Sequence, residues 1–266
     1  MIKNHPRKHG WGGRTARIAS AISRRFSWDP LVGNASDSPD MVFIWVPKTA
    51  GTSVFTFLNE RVGMQKLKTA KQAMSFANRG AVTFGHLHYL SLLEAGIVSR
   101  EFHGRAFKFA FARNPYSRVA SLYNYLRQRD LVDGQCFDHF LDRIHLRPPI
   151  GLYNVANLSV ANPMTDWLMG ADGKLLVDKT FKLEEMDEFA RHLETHYNLR
   201  FDVEEQHNKS VQMISSKDVT SVAERTEKVN RIYARDFELL GYEMIDPYDH
   251  SHSHVTRDLK GKLQRK

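Results

Sequence analysis

The hydrophobic positions of this chain fall into short unbroken runs that alternate with segments of helical periodicity. Met41–Val46 is apolar throughout, the pattern of a strand covered on both faces. Beyond a turn-rich interval, Val54, Phe55, Leu58 and Val62 recur at helical spacing, and Gly63 stands where a helix end favours a left-handed residue. The same grammar returns at Phe107–Ala112, a second apolar strand, followed by Arg113-Asn114-Pro115 and a helix with Val119, Leu122, Tyr123 and Leu126 on one face. Asn114 is placed to cap that helix and Pro115 to occupy its first position. Further strands are predicted at Ala81–Phe84 and at Lys174–Val177, the latter extending toward Leu183. Met186, Phe189, Ala190, Leu193 and Tyr197 mark an amphipathic helix; Val222, Val229, Ile232, Tyr233 and Leu240 mark a last one that stops at Gly241. Strands alternating with helices, without an internal repeat, predict an α/β fold: a single domain with a central parallel sheet flanked by helices.

Charge divides the chain into three parts. The 266 residues carry a formal charge of +8, but residues 1–30 hold seven Lys/Arg against one Asp, residues 251–266 hold five against one, and the body between them is slightly acidic. Residues 1–40 therefore read as a basic flexible leader, 41–247 as the folded domain and 248–266 as a basic, His-containing tail. In the leader, Ile18, Ala21, Ile22 and Phe26 are spaced as a short amphipathic surface helix would need. A chain with 42% hydrophobic and 26% charged residues is not disordered throughout. Basic ends on a near-neutral body argue against a specific nucleic-acid partner and leave the tails peripheral contact with anionic membranes or other polyanions. Cys136 stands alone and cannot form an intrachain disulfide, no apolar run approaches the roughly 20 residues of a membrane span, and the N-terminus lacks the apolar block of a secretory signal. The expectation is a soluble, cytoplasmic protein; nothing in the pattern speaks to oligomeric state. His250, His252 and His254 alternate in the tail without Cys or acidic partners in a fixed geometry, which reads as a solvated segment and not a metal site.

The chemistry begins at VPKTAGTS, Val46 to Ser53. A strand that delivers a lysine, a glycine and three hydroxyl residues into a turn before a helix makes an anion site. Amide N–H groups point outward at the helix start, Gly51 admits a close ligand, Thr49, Thr52 and Ser53 offer hydroxyls, and Lys48 adds a mobile charge. The architecture is P-loop-like and nucleotide-binding, but the lysine precedes the glycine, so the order GxxxxGK[ST] of a magnesium–triphosphate loop is absent.

At these residues the chain resembles the sulfotransferases that use 3′-phosphoadenosine 5′-phosphosulfate, in particular their carbohydrate-directed, heparan sulfate 2-O-sulfotransferase-like branch. FIWVPKTAGTS is similar to that family's 5′-phosphosulfate loop, and FAFARNPYSRVASLYNYL, Phe109 to Leu126, to its 3′-phosphate segment. GHLHYL at Gly85–Leu90 and ARDFELLGY at Ala234–Tyr242 extend the likeness more weakly. The resemblance implies that Lys48 meets the oxygen bridging phosphate and sulfate, which gains charge as the S–O bond breaks, and that Lys48, Thr49, Gly51, Thr52 and Ser53 hold the 5′-phosphate. It implies that Arg113 and Ser121 clasp the 3′-phosphate, with Arg118 as a competitor.

Sulfuryl transfer to an alcohol also needs a base, and His86, directly after a predicted strand, is the candidate, with His88 the alternative if the loop is shifted. A histidine beside glycine is more often a structural hydrogen-bonding residue; it is the flanking motifs that single out this one. Lys48, His86 and Arg113 each follow a predicted strand, and in open parallel sheets that edge is where ligands bind. Glu184 and the loop His207-Asn208-Lys209-Ser210 are weaker signals, and Trp167 reads as core or cleft wall. The implied reaction moves a sulfuryl group to a hydroxyl of a glycan or glycolipid without a metal. A nucleotide-dependent kinase and a non-catalytic polyanion- or glycan-binding protein are the alternatives; the first would need a magnesium-binding hydroxyl and acid, the second leaves the two nucleotide motifs without a purpose.

Overall fold

A computed structural model describes residues 38–132, 136–146, 160–203 and 213–248. The Ile18–Phe26 stretch, the tail histidines and His207–Ser210 lie outside these residues. Five strands, β1 (Met41–Ile44), β2 (Gln65–Lys66), β3 (Ala81–Thr83), β4 (Phe107–Ala112) and β5 (Lys179–Lys182), form one sheet in the order β2-β3-β1-β4-β5. Every neighbouring pair is parallel, with Met41 opposite both Ala81 and Phe107, and Phe111 opposite Phe181. Parallel neighbours require crossovers, and helices supply them. They are α1 (Gly51–Val62), α2 (Ala70–Met74), α3 (Tyr89–Glu94), α4 (Arg100–Arg105), α5 (Pro115–Arg127), α6 (Phe137–Leu146), α7 (Thr165–Leu168), α8 (Met186–Tyr197), α9 (Ser216–Thr220), α10 (Ala223–Ile232) and α11 (Ala234–Leu240).

The apolar runs of β1 and β4, broken only by Lys108, follow from burial on both faces. Alternate residues Met41, Phe43, Trp45, Phe109 and Phe111 pack with Val54, Leu58, Phe189 and Leu193 of α1 and α8. Val42, Ile44, Val46, Ala110 and Ala112 face the other way, onto Tyr89, Phe102 and Trp167 of α3, α4 and α7. Phe43 stacks on its neighbour across the strand pair, Phe109, at 5.1 Å, and each such buried ring contributes roughly 1.5–3 kcal/mol. A further cluster joins α5, α6 and α9 to α11 around Tyr123, Phe140, Val229 and Phe237.

Two expectations are corrected. Lys174–Val177 is not a strand: Leu175 makes an isolated antiparallel bridge to Met169 and, with Leu176 and Val177, packs against the core from a turn. The strand lies in the extension toward Leu183, as β5 at one edge of the sheet, where only Phe181 is buried, so its sequence lacks an apolar run. The last helix is two, α10 and α11, broken at Tyr233, which leaves helical geometry with φ −110° and ψ 22°; Gly241 does end the second in the left-handed region. Just before β1, Ser38 bonds the Val62 carbonyl, and Asp40 receives the Gly80 amide and pairs with Arg105. No described helix is long and apolar enough to cross a membrane.

Candidate functional site

Because β3, β1 and β4 are adjacent and parallel, their C-terminal ends open on one edge, and the loops that follow them carry His86, Lys48 and Arg113. The loop after β1 is unusual in its backbone: Lys48 and Ala50 both adopt left-handed conformations, φ 70° and 60°, which for residues other than glycine cost of order 1–3 kcal/mol each. Its surroundings hold it there. The Thr49 hydroxyl donates to the Val46 carbonyl at 2.9 Å, and the buried Arg118 guanidinium donates to the carbonyls of Pro47, Asn162 and Val160.

Two sequence expectations change as a result. Thr49 is wholly buried with its hydroxyl spent on the turn, and it does not line the cavity over the helix start. Arg118 is likewise committed to three carbonyls and braces the loop from behind. The glycine requirement at position 51 also has another cause than ligand approach. A Cβ there would lie 2.0 Å from Nε1 of Trp45, whose indole fills that space. Helix α1 starts after Ala50, which provides no side-chain cap, and the positive end of its dipole faces the loop.

A cavity of about 550 Å³ lies over this helix start, lined by Lys48, Ala50, Gly51 and Thr52, by Trp45, Tyr125 and His86, and by Lys66, Lys68 and Arg129. Among the described residues no carboxylate lines it. Ser53 is half-buried in the first turn of α1, just behind the lining. Lys48 extends its ammonium over the Tyr125 ring at 4.1 Å, and Arg129 covers the same ring at 4.6 Å. Burial, then the positive charges of Arg113, Arg129 and Arg118, bring the Lys48 pKa down to about 8. Lys66 lies 3.9 Å over the Trp45 ring, and burial with neighbouring Lys68 lowers its pKa as well. A group of cations that depress one another without an acid among them is built for an anionic guest.

His86 sits at the far wall of that cavity. Its Nδ1 donates to the Trp45 carbonyl at 2.8 Å, which fixes the tautomer and makes Nε2 the basic nitrogen. Burial pulls its pKa below the ordinary histidine value, opposed by that hydrogen bond and reinforced by Lys66 and Lys48. His88 points elsewhere: it begins α3, its Nδ1 meets the Ser91 hydroxyl at 2.9 Å, and it is absent from the cavity lining.

A second, smaller pocket of about 60 Å³ brings Arg113 and Ser121 together with Ser117, Ala120, Asn124, Ile214, Ser215 and Ser216. The Asn114 side chain caps α5 as expected, accepting from the amides of Tyr116 and Ser117. Asn124 and Ile214 exchange two hydrogen bonds of 2.7 and 3.1 Å, pinning the Ile214–Ser216 segment over α5 as the pocket wall. Burial lowers the Arg113 pKa against the attraction of Glu184, whose carboxylate accepts from the Asn114 amide and the Tyr242 hydroxyl. Both pockets draw residues from one helix. Ser117, Ser121 and Tyr125 recur every fourth residue on α5, with Arg129 continuing the spacing just past its end, so one row of side chains leads from the Arg113 pocket to the Lys48 cavity.

Lys66, Lys68 and Arg129 escaped the sequence reading, as did Ser117, Asn124 and the Ile214–Ser216 wall. Among the described residues no group of three or more His, Cys, Asp or Glu is placed to hold a metal ion. Comparison with curated proteins and with solved structures finds no match. The model of the Sulfotransferase family matches residues 34–243, which takes in both pockets and all five strands, and the chain belongs to that family.

Proposed function

We propose that this sulfotransferase takes its sulfuryl group from 3′-phosphoadenosine 5′-phosphosulfate and passes it to a carbohydrate hydroxyl by in-line displacement. The observation that supports the proposal most is that α5 contributes to both cation-lined pockets. The acid-free cation cavity at the start of α1 suits a 5′-phosphosulfate, and the Arg113–Ser121 pocket, reached by the Ser117–Ser121–Tyr125 row, suits a second phosphate on the same nucleoside. His86 Nε2 accepts the proton of the acceptor hydroxyl as its oxygen attacks sulfur, the bond from sulfur to the bridging oxygen breaks, and the electron pair leaves on the nucleoside bisphosphate. Lys48, charged at neutral pH, stabilises that developing oxyanion more than it stabilises the bound donor. Arg113 supplies a forked donor for the 3′-phosphate, with the Ser121 hydroxyl beside it. The proposed acceptor, a glycan or glycolipid, rests on the likeness of the two motifs to the carbohydrate-directed branch.

Thermal stabilisation by adenosine 3′,5′-bisphosphate without magnesium, lost when the 3′-phosphate is removed, is the expected result. Stabilisation only by ATP with magnesium would turn the assignment toward phosphoryl transfer. Incubation with labelled donor and extracted glycans then identifies the product; label on protein or small phenols and none on saccharide would overturn the acceptor class.

A further inference from the structure

His86 is gripped by the residue that also shapes the donor loop. The Trp45 carbonyl receives its Nδ1–H, and the Trp45 indole meets the imidazole edge-on, with centroids 5.5 Å apart and planes at 66°. On another side the Trp167 ring, buried to 1% exposure, makes a second edge contact at 6.3 Å and 69°. The Trp167 indole N–H has no hydrogen-bond partner among the described residues, so this wall holds His86 through shape and ring edges alone. Trp45 is itself immobilised: Phe43 and Phe55 stack on it at 5.8 and 5.9 Å, and the Lys66 ammonium lies over its face. Its indole occupies the space a side chain at position 51 would need, in contact with the first residue of α1.

We propose that Trp45 is a positioning residue that locks the imidazole of His86 to the start of the anion-binding helix, so that seating the donor and aligning the base are one event. This rests on the reading of His86 as the base. One rigid indole bridges the Gly51 backbone, where an incoming phosphate lands, and the ring that must face the acceptor hydroxyl. Rotation of either therefore displaces the other. Among the described residues, the charged groups that act on His86 are Lys66 from β2 and Lys48 from the loop after β1. Burial beneath the indoles and the charges of these two lysines act together to disfavour the protonated ring, opposed by its bond to the Trp45 carbonyl.

The test compares Trp45→Leu and Trp45→Phe with His86→Ala, measuring kcat and the donor KM from pH 5 to 9 and bisphosphate binding by calorimetry. Trp45→Leu is expected to lower kcat about tenfold or more and to move the acid limb of the kcat profile to higher pH, because water reaching the imidazole favours its protonated form. Trp45→Phe, which restores an aromatic edge but not the second ring of the indole, is expected to displace the limb in the same direction by a smaller amount. An acid limb and kcat unchanged in Trp45→Leu, with His86→Ala inactive, overturns the positioning role and leaves the base assignment standing. Transfer retained in His86→Ala overturns the base assignment itself, and the inference with it. If Trp45→Leu fails to fold, Trp45→Phe decides: a limb displaced in the same direction by a smaller amount supports the role, and a profile superimposable on the original refutes it.

Discussion

Replacing Lys48 by methionine removes an ammonium that the ligand-free protein holds at a cost. Burial and the surrounding Arg113, Arg129 and Arg118 bring its pKa from 10.5 to about 8, and that difference corresponds to a penalty of roughly 3 kcal/mol on the charged form. In the unfolded chain the lysine keeps its ordinary value, so the unfolded state binds the extra proton between pH 8 and 10.5. The penalty is complete below pH 8 and fades as pH rises through that window. Methionine keeps most of the side-chain packing while giving up the contact with the Tyr125 ring, worth about 1 kcal/mol. Lys48→Met should therefore stabilise the ligand-free protein by about 2 kcal/mol at pH 7, a rise in Tm of about 4–8 °C. The gain should shrink steadily between pH 8 and 10. Sulfuryl transfer should fall by two orders of magnitude or more, since the same charge is the one the leaving oxygen needs. Thermal unfolding at several pH values, beside a transfer assay, reads both quantities. A variant less stable than the parent at pH 7, or a gain that does not change up to pH 10, would refute the picture of a binding site that stores repulsion for its guest.

Arg113→Ala should cost about 2–3 kcal/mol in affinity for adenosine 3′,5′-bisphosphate and almost nothing for the 5′-monophosphate, so the calorimetric preference between them should collapse. In Gly51→Ala the new methyl group meets the Trp45 indole at 2.0 Å, and with the ring confined by Phe43, Phe55 and Lys66 the expected loss is about 1–3 kcal/mol of stability together with most of the bisphosphate affinity. A Gly51→Ala protein with parental Tm and binding would show that the indole yields. Because burial holds the His86 pKa below the ordinary histidine value, the imidazole is already the neutral base at pH 6.5. The acid limb of kcat/KM, which reports the free enzyme, should lie below that pH and disappear in His86→Ala, so a limb above pH 7 would assign the titration to another group.

Much of the fold could be read from continuous burial. β1 and β4 are apolar at nearly every position because both faces are covered, and Phe107–Ala112 matches its strand residue for residue. The loop-to-helix junctions were legible for a different reason: Asn114, Pro115, Gly63 and Gly241 each do one backbone task that few residues do as well. What stayed hidden was short or half-exposed. β2 is two residues long with polar side chains, and with it Lys66 and Lys68 went unread as members of the site. β5 buries only Phe181, while the more apolar Leu175–Val177 packs onto the core without pairing into the sheet. Arg129 falls just past the end of α5, where periodicity stops reporting which way a side chain faces. Arg118, by contrast, was visible but ambiguous. Sequence offers two arginines near one helix start, and only the carbonyls of Pro47, Val160 and Asn162 separate the brace from the candidate clasp.

The most decisive observation is the structure of the protein with adenosine 3′,5′-bisphosphate bound. Its 5′-phosphate should rest on the amides of Gly51, Thr52 and Ser53 beside the Lys48 ammonium, and its 3′-phosphate between Arg113 and Ser121, with the nucleoside spanning α5. A nucleotide lodged wholly in one pocket, with the other filled only by water, would contradict the joining of the two pockets into a single donor site.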